Sequence, residues 1–213
     1  MTTDKRDNEI FISIDVEANG PCPIKNSMLS IGAAVCDSQG YLLKKDTHFY
    51  ENLLPLEGSS PDPDTMNDFW KKFPKEYEAT QTDQIHPKAA MEKLCKWVDN
   101  LPGFKEDKTI VVNPSVFDMS YIWTYQHYLL GKAPLGFKVC DIQSYANAVL
   151  VCTFHDAAKR NWPNWWLSKS PHTHHALDDA YEQLDIWLRI RASNLYGFDS
   201  HYAKNLCLKA PKE

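Results

Sequence analysis

Apolar positions along the chain fall first into strand-like runs and later into helical repeats. Ile10-Phe11-Ile12-Ser13-Ile14-Asp15-Val16-Glu17 is rich in β-branched residues. Extended, it sends Ile10, Ile12, Ile14 and Val16 to one face and Phe11, Ser13, Asp15 and Glu17 to the other. The turn-rich stretch Asn19-Gly20-Pro21-Cys22-Pro23 leads to a second predicted strand, Met28 to Val35. Asp37-Ser38-Gln39-Gly40 reads as a hairpin turn into a third strand over Tyr41 to Tyr50.

Helical spacing takes over after a loop from Asn52 to Asp64 that holds Pro55, Pro61 and Pro63. Thr65 is placed to cap a helix through Phe69, Trp70 and Phe73. His86-Pro87 opens another, with Ala90, Leu94, Trp97, Val98 and Leu101 in phase, ended by Pro102-Gly103. Thr109 to Asn113 reads as a short buried strand, and a helix starting at Asp118 runs through Tyr121, Ile122, Tyr125 and Leu129 to Gly131. Phe137 to Ile142 is the last predicted strand, followed by a helix through Ala146 and Val149. A loop carrying Trp162, Trp165 and Trp166 leads to Pro171-His172-Thr173-His174-His175 and a long helix from Ala176, with Leu177, Ala180, Leu184, Trp187, Leu188 and Ile190 along one face. Lys209 to Glu213 reads as a fraying tail. Hairpin strands followed by strands alternating with helices predict an α/β fold, a mixed sheet flanked by helices. One domain is expected over residues 1–213, its core at about 9–193 and a tail over 194–213.

Composition narrows the partners. The 213 residues are 43% hydrophobic and 12% aromatic, enough for a real core, and carry a formal charge of -5. No general basic field exists to hold long nucleic acid by counterion release, so any such contact must be local. No apolar run approaches a bilayer span and no signal-like segment opens the chain, so a soluble, cytoplasmic protein without membrane contact is expected. Six cysteines lie scattered without a C-x-x-C pair, which argues against a zinc knuckle or a disulfide framework.

The candidate chemistry is acidic. Asp15 and Glu17 emerge together on one strand face, where two like charges need a cation or a basic partner; a solvated strand end is the plain alternative. Asp118 follows a strand and Asp179 lies in the first turn of the last helix. Four carboxylates suit two hard cations, Mg²⁺ or Mn²⁺, rather than Zn²⁺. Two such ions about 3.5–4 Å apart clamp both oxygens of a phosphodiester displacement. His174, five positions before Asp179, can act as the base for an attacking water. On the residues alone, Asp178 competes with Asp179, His172 and His175 compete with His174, and Asp118 is also a candidate helix cap.

Ile14-Asp15-Val16-Glu17, Phe117-Asp118 and His174-His175-Ala176-Leu177-Asp178-Asp179-Ala180 resemble the three exonuclease motifs of the DEDDh (DnaQ-like) superfamily, whose third motif commonly reads H-x-A-x-x-D-A. The resemblance spans Ile10 to about Arg191 and implies an RNase H-like fold with a mixed five-stranded sheet. It also implies two-metal release of nucleoside 5′-monophosphates from 3′ ends, with Asp15, Glu17, Asp118 and Asp179 as metal ligands, His174 as the catalytic base and Glu17 also facing the attacking water. Thr65-Met66-Asn67-Asp68-Phe69-Trp70 and Asn113-Pro114-Ser115-Val116-Phe117-Asp118 resemble the RNase T-like exoribonucleases, with Phe69 in place of a usual tryptophan and Pro114 in a usually Gly-rich lead. That subgroup implies single-stranded RNA as the first substrate and single-stranded DNA as the second. Family analogy places Ala18 and Asn19 against the terminal nucleotide. Base stacking makes Trp70 and Phe117 substrate-binding candidates, with core packing as the alternative for each. The loop of Trp162, Trp165 and Trp166 is expected as a flap beside His174. A non-catalytic nucleic-acid-binding module is the rival reading, and both a monomer and a homodimer are open.

Overall fold

The computed structural model describes residues 8–43, 47–170 and 172–211. Five strands, β1 (Ile10–Ala18), β2 (Met28–Asp37), β3 (His48–Asn52), β4 (Lys108–Val112) and β5 (Cys140–Asp141), form one sheet in the order β3-β2-β1-β4-β5. β1 pairs antiparallel with β2 and parallel with β4, β3 runs antiparallel to β2, and β5 runs parallel to β4. The mixed sheet is therefore a meander joined to two crossovers, the arrangement expected when hairpin strands precede βα units.

The period-two pattern of β1 sorts its residues between two cores. Ile10, Ile12, Ile14 and Val16 pack with Leu94 of α2 (Pro87–Asn100) and with Ile122 and Tyr125 of α3 (Ser115–Leu130). Phe11 packs on the opposite face with Ala146 of α4 (Ile142–Leu150) and with Leu184, Trp187 and Ile190 of α5 (Ala176–Tyr196). Asp15 and Glu17 share the face of Phe11, so the carboxylates of the central strand look toward α5.

Several boundaries differ from the sequence expectation. The third strand begins only at His48; Leu42 and Tyr41 instead make isolated bridges to Cys36 and Lys209, and residues 44–46 of the expected strand lie outside the described residues. The helix expected from Thr65 is three pieces: a π-helical turn Thr65–Phe69, a 3₁₀ turn Trp70–Lys72, and α1 (Pro74–Thr80). Pro74 forces this break, because its ring disfavours a helical residue before it, and Phe73 sits at φ -124°, ψ 56°. Asp62, not Thr65, caps this start, accepting from the Thr65 amide and hydroxyl at 2.9 Å each. α3 opens at Ser115, so Asp118 falls inside its first turn and is not the cap. β5 keeps only two of six expected residues, and Phe137 is 81% exposed. The expected tail packs back: α6 (His201–Asn205) buries Ala203, the Leu208 amide donates to Asp185, and Lys209 exchanges backbone hydrogen bonds with Gly40 and Leu42. Residues 212–213 lie outside the described residues.

Gly32 fixes the height of α5 above the sheet. It stands opposite Asp15 in the β1–β2 register, and a Cβ there would overlap the Ala176 carbonyl and the Leu177 amide. The first turn of α5 thus rests on bare backbone, which brings Asp179 down to the strand acids. Gly32→Ala has no flexible side chain to displace, so a loss of about 3 kcal/mol is expected, the upper end of ordinary overpacking. A shift of the urea midpoint reads this directly; an unchanged midpoint would show that α5 does not rest on Gly32.

Candidate active site

Four carboxylates from three elements converge. Asp15 and Glu17 end β1, Asp118 projects from the first turn of α3, and Asp179 from the first turn of α5. All are buried, with exposures of 9%, 8%, 2% and 1%. Oxygens of Asp15, Glu17 and Asp179 lie within 4.8 Å of one another. Burial, reinforced by the charges of Asp118, Glu17 and Asp179, pushes the Asp15 carboxyl well above the usual carboxylate range. Burial, then Asp179 and Asp118, does the same to Glu17. Burial pushes Asp118 up to about 8, although the Val16 amide donates to its Oδ1 at 3.1 Å.

Asp179 behaves differently. Burial opposes its charge, yet a hydrogen bond from His172 and the Thr173 amide hold its carboxyl below the ordinary value. The Thr173 and His174 amides donate to its two oxygens at 2.9 and 3.0 Å. Consecutive amides converge on one carboxylate where His174 takes a left-handed backbone, φ 56°, uncommon for a non-glycine residue. Asp178, by contrast, is 58% exposed, so the helix presents Asp179 and not its neighbour to the strand acids.

His174 stands at the rim of this cluster. Its ring packs against Phe69 and Phe73, with centroids 4.8 and 4.1 Å away, and edge-on to His172 at 4.5 Å. Burial, helped by the charge of His172, holds His174 below the usual histidine range, leaving a neutral ring able to take a proton. His175 stacks on Tyr50 of β3 at 4.5 Å, and its Nδ1 lies 3.6 Å from the exposed Asp178.

The substrate-binding expectations fare unevenly. Ala18 and Phe117 line a cavity of about 510 Å³ that opens beside Glu17, with Phe69, Asp64 and Asp68 on its other walls. Trp70 requires correction: it is 2% exposed and its Nε1 donates to the Ala18 carbonyl at 3.0 Å, so it supports the cavity wall and offers no stacking face. Asn19 also turns inward, accepting from the Ser27 amide at 2.6 Å. The tryptophan loop is no open flap: Trp162 and Trp166 are buried, their Nε1 groups donating to Ala157 and Ser193 at 2.7 Å.

Two side chains of the site, Glu182 and Gln183, escaped the sequence reading, and His172, weighed there only as a rival base, turns out to bind the acids. His172 Nδ1 lies 3.1 Å from Asp179 and 3.0 Å from Glu182, and those two contacts raise its pKa to about 9. Gln183 Nε2 donates to Asp15 at 2.6 Å while its Oε1 accepts from the Asn113 amide. Glu182 and Gln183 follow Asp179 by three and four positions, so helical spacing alone put them on its face.

The site fits hard divalent cations. Asp15, Glu17 and Asp118 make no ion pair with any described residue, and Asp118 Oδ2 is buried without a hydrogen-bond partner. Closely set, uncompensated oxygen donors of this kind are stable as charges only with cations among them.

Comparison with known proteins agrees with this chemistry. No protein-family model matches the chain. It is 32% identical over 206 residues to the Escherichia coli protein described as 3′-5′ DNA exonuclease Cap18, covering 88% of this chain and 92% of that one. Among solved structures, the nuclease domain of 3′hExo, a DEDDh family member bound to rAMP, superposes with a TM-score of 0.62 at 13% identity, over 87% of this chain and 92% of that one. The Mg²⁺- and Mn²⁺-bound form of S. pombe Pop2p gives 0.62 at 16% identity, over 94% and 88%. The zinc-bound complex of E. coli ExoI with single-stranded DNA gives 0.63 at 15%, over 89% of this chain but 42% of that one. At such identities the solved structures show the RNase H-like fold, and the curated relative shows the family. The chain belongs to the DEDDh (DnaQ-like) superfamily of 3′-to-5′ exonucleases, and its buried acids are grouped as a divalent-cation site would require.

Proposed function

We propose that the chain removes nucleotides one at a time from the 3′ end of single-stranded DNA, releasing nucleoside 5′-monophosphates. The observation that carries this reading is the cavity lined by Glu17 and Ala18, whose Glu17 also belongs to the cluster of buried carboxylates with Asp15 and Asp179. Its walls, Phe69 and Phe117, suit a base and sugar, and its lining includes Asp64 and Asp68 but no cation, which suits a terminus without a phosphate of its own. Kinship with a protein described as a DNA exonuclease over most of both chains favours DNA; the resemblance to RNase T-like enzymes favours RNA.

In this reading Asp15, Glu17, Asp118 and Asp179 hold two cations, Mg²⁺ or Mn²⁺. Cations there supply positive charge that acidifies water and offsets the charge of the phosphate under attack. His174 takes the proton of the attacking water at its ring, which Phe69 and Phe73 hold in place. Phe69 also walls the cavity, so a seated terminal nucleoside touches the support of the base. His172 and the two amides keep Asp179 ionised, ready for a cation at neutral pH. The Trp70 bond to the Ala18 carbonyl holds the backbone against which the terminal sugar rests. Association of two copies is compatible with this reading and is no part of it.

Three measurements bear on these assignments. Labelled RNA and DNA of one sequence, each with Mg²⁺ and with Mn²⁺, should show DNA shortened faster from its 3′ end; faster RNA loss reverses the substrate, and no loss of either removes the function. His174→Ala should lower kcat by about 10²–10⁴, the usual worth of a general base, while the cation-dependent rise in melting temperature persists; unchanged turnover would take His174 out of the mechanism. Asp118→Asn removes a buried carboxyl that must stay protonated when no cation is bound, and should raise the melting temperature in chelator at neutral pH by about 2–4 °C for each kcal/mol relieved, while abolishing much of the gain on adding Mg²⁺. The sign follows from the raised carboxyl: a group at 3.8 unfolded and about 8 folded adds stability that is complete below 3.8 and lost as pH climbs through 8. In chelator, wild-type melting temperature should therefore fall as pH rises from 5 toward 9, less steeply in Asp118→Asn; a rise would contradict the burial of uncompensated acids.

A further inference from the structure

A second cavity has Asp15 on its wall and shares no lining residue with the cavity beside Glu17. It measures about 310 Å³, and its walls include Asp15, Asn113, Lys159, Trp162, His172 and Glu182. The two cavities differ in charge. The one beside Glu17 has two aspartates on its rim and no cation, whereas this one contains Lys159, the only Lys or Arg on the walls of either. A strand that leaves its terminal nucleoside in the first cavity must carry its next phosphates past the acids, and a chain with a net charge of -5 offers no broad basic field to receive them.

Lys159 is built for such a contact. It begins a single 3₁₀ turn, Lys159–Asn161, that is anchored at both ends: Ala157 is fully buried and accepts from Trp162 Nε1 at 2.7 Å, and Trp162 is itself buried. Glu182 holds the Lys159 ammonium at 2.7 Å, with the lysine side chain 36% exposed and the glutamate 7%. That bond uses one of three ammonium protons. The other oxygen of Glu182 is already engaged by His172 at 3.0 Å, so the carboxylate is shared between two basic groups and only part of its charge is spent on the lysine. Glu182 therefore fixes where the Lys159 ammonium sits on the cavity wall and leaves two of its protons for a ligand.

Resting on the exonuclease reading above, we propose that this cavity receives the internucleotide phosphate one position upstream of the scissile bond, with Lys159 as its contact and Trp162 as the wall beside its sugar. The ligand is a backbone anion, so the contact is indifferent to base sequence and serves register: it holds the strand so that the last linkage, and not the one before, lies at the acids. Glu182 is a positioning residue for Lys159.

The test neutralises either partner. A 5′-labelled eight-nucleotide single strand, of whichever sugar the wild type shortens, is compared with the same strand carrying a methylphosphonate at the linkage one upstream of the terminal bond. In the wild type the neutral linkage should raise KM about tenfold with little change in kcat, and lower the slope of log KM against log salt by about 0.7, the value for one phosphate on a single strand. Lys159→Gln should raise KM for the unmodified strand by a similar factor, and the neutral linkage should then add less than about twofold, the non-additivity expected of direct partners. Equal penalties from the neutral linkage in both proteins would overturn the contact. So would a Lys159→Gln defect confined to kcat, which would mean that Lys159 acts through Glu182 and His172 on the acids. If Lys159→Gln does not fold, the neutral linkage is moved along the strand with wild-type enzyme and with Lys159→Arg; a penalty confined to the upstream position in both supports the contact, and a penalty equal at every position overturns it. Failure of the wild type to shorten the unmodified strand would count against the exonuclease reading instead.

Discussion

Like charges held out of water are the constraint around which this molecule is arranged. Asp15, Glu17 and Asp118 are buried together without an ion pair among the described residues, which no unassisted fold maintains cheaply. The surrounding structure supplies what such a cluster needs. β1 lies at the centre of the sheet and is buried throughout, so its acids cannot swing away. Gly32 lets α5 settle on the sheet so that Asp179 completes the set, and Gln183, one turn on, ties Asp15 to the end of β4 through the Asn113 amide. Rigid elements hold the acids close together, and mobile ions can then share them.

The groups around the acids divide the labour unevenly. On one side, Phe69, Phe73 and Phe117 give an aromatic wall that both holds His174 and lines the terminal cavity. On the other, Lys159, His172 and Glu182 form a polar bracket fixed to α5. The opposed characters of the two sides give the site a direction, and in the proposed reading an uncharged chain end takes the first and a charged backbone the second.

Much of this was legible in the sequence, for identifiable reasons. Period-two alternation placed Asp15 and Glu17 on one face of β1, and period 3.6 placed Asp179 at the start of a long helix, because both elements are regular and buried. The choice of Asp179 over Asp178 needed the motif register, and the fold shows its physical content in the exposure of Asp178. Irregular backbone was the blind spot. Between Thr65 and Lys72 the chain changes from π to 3₁₀ winding, so a helical phase could not say that Trp70 points inward while Phe69 lines the cavity. His172 gained its partners from the loop around His174, whose left-handed turn leaves no periodic trace. The bridge between Tyr41 and Lys209 joins residues too far apart in sequence for any local pattern to announce.

The left-handed backbone at His174 has an energetic consequence. A glycine would occupy φ 56° at lower steric cost, and the two amides could still grip Asp179. Backbone cost alone therefore favours glycine at this position. The imidazole is held there against that cost by its ring contacts with Phe69 and Phe73, so the aromatic wall fixes the side chain while the two amides fix the turn.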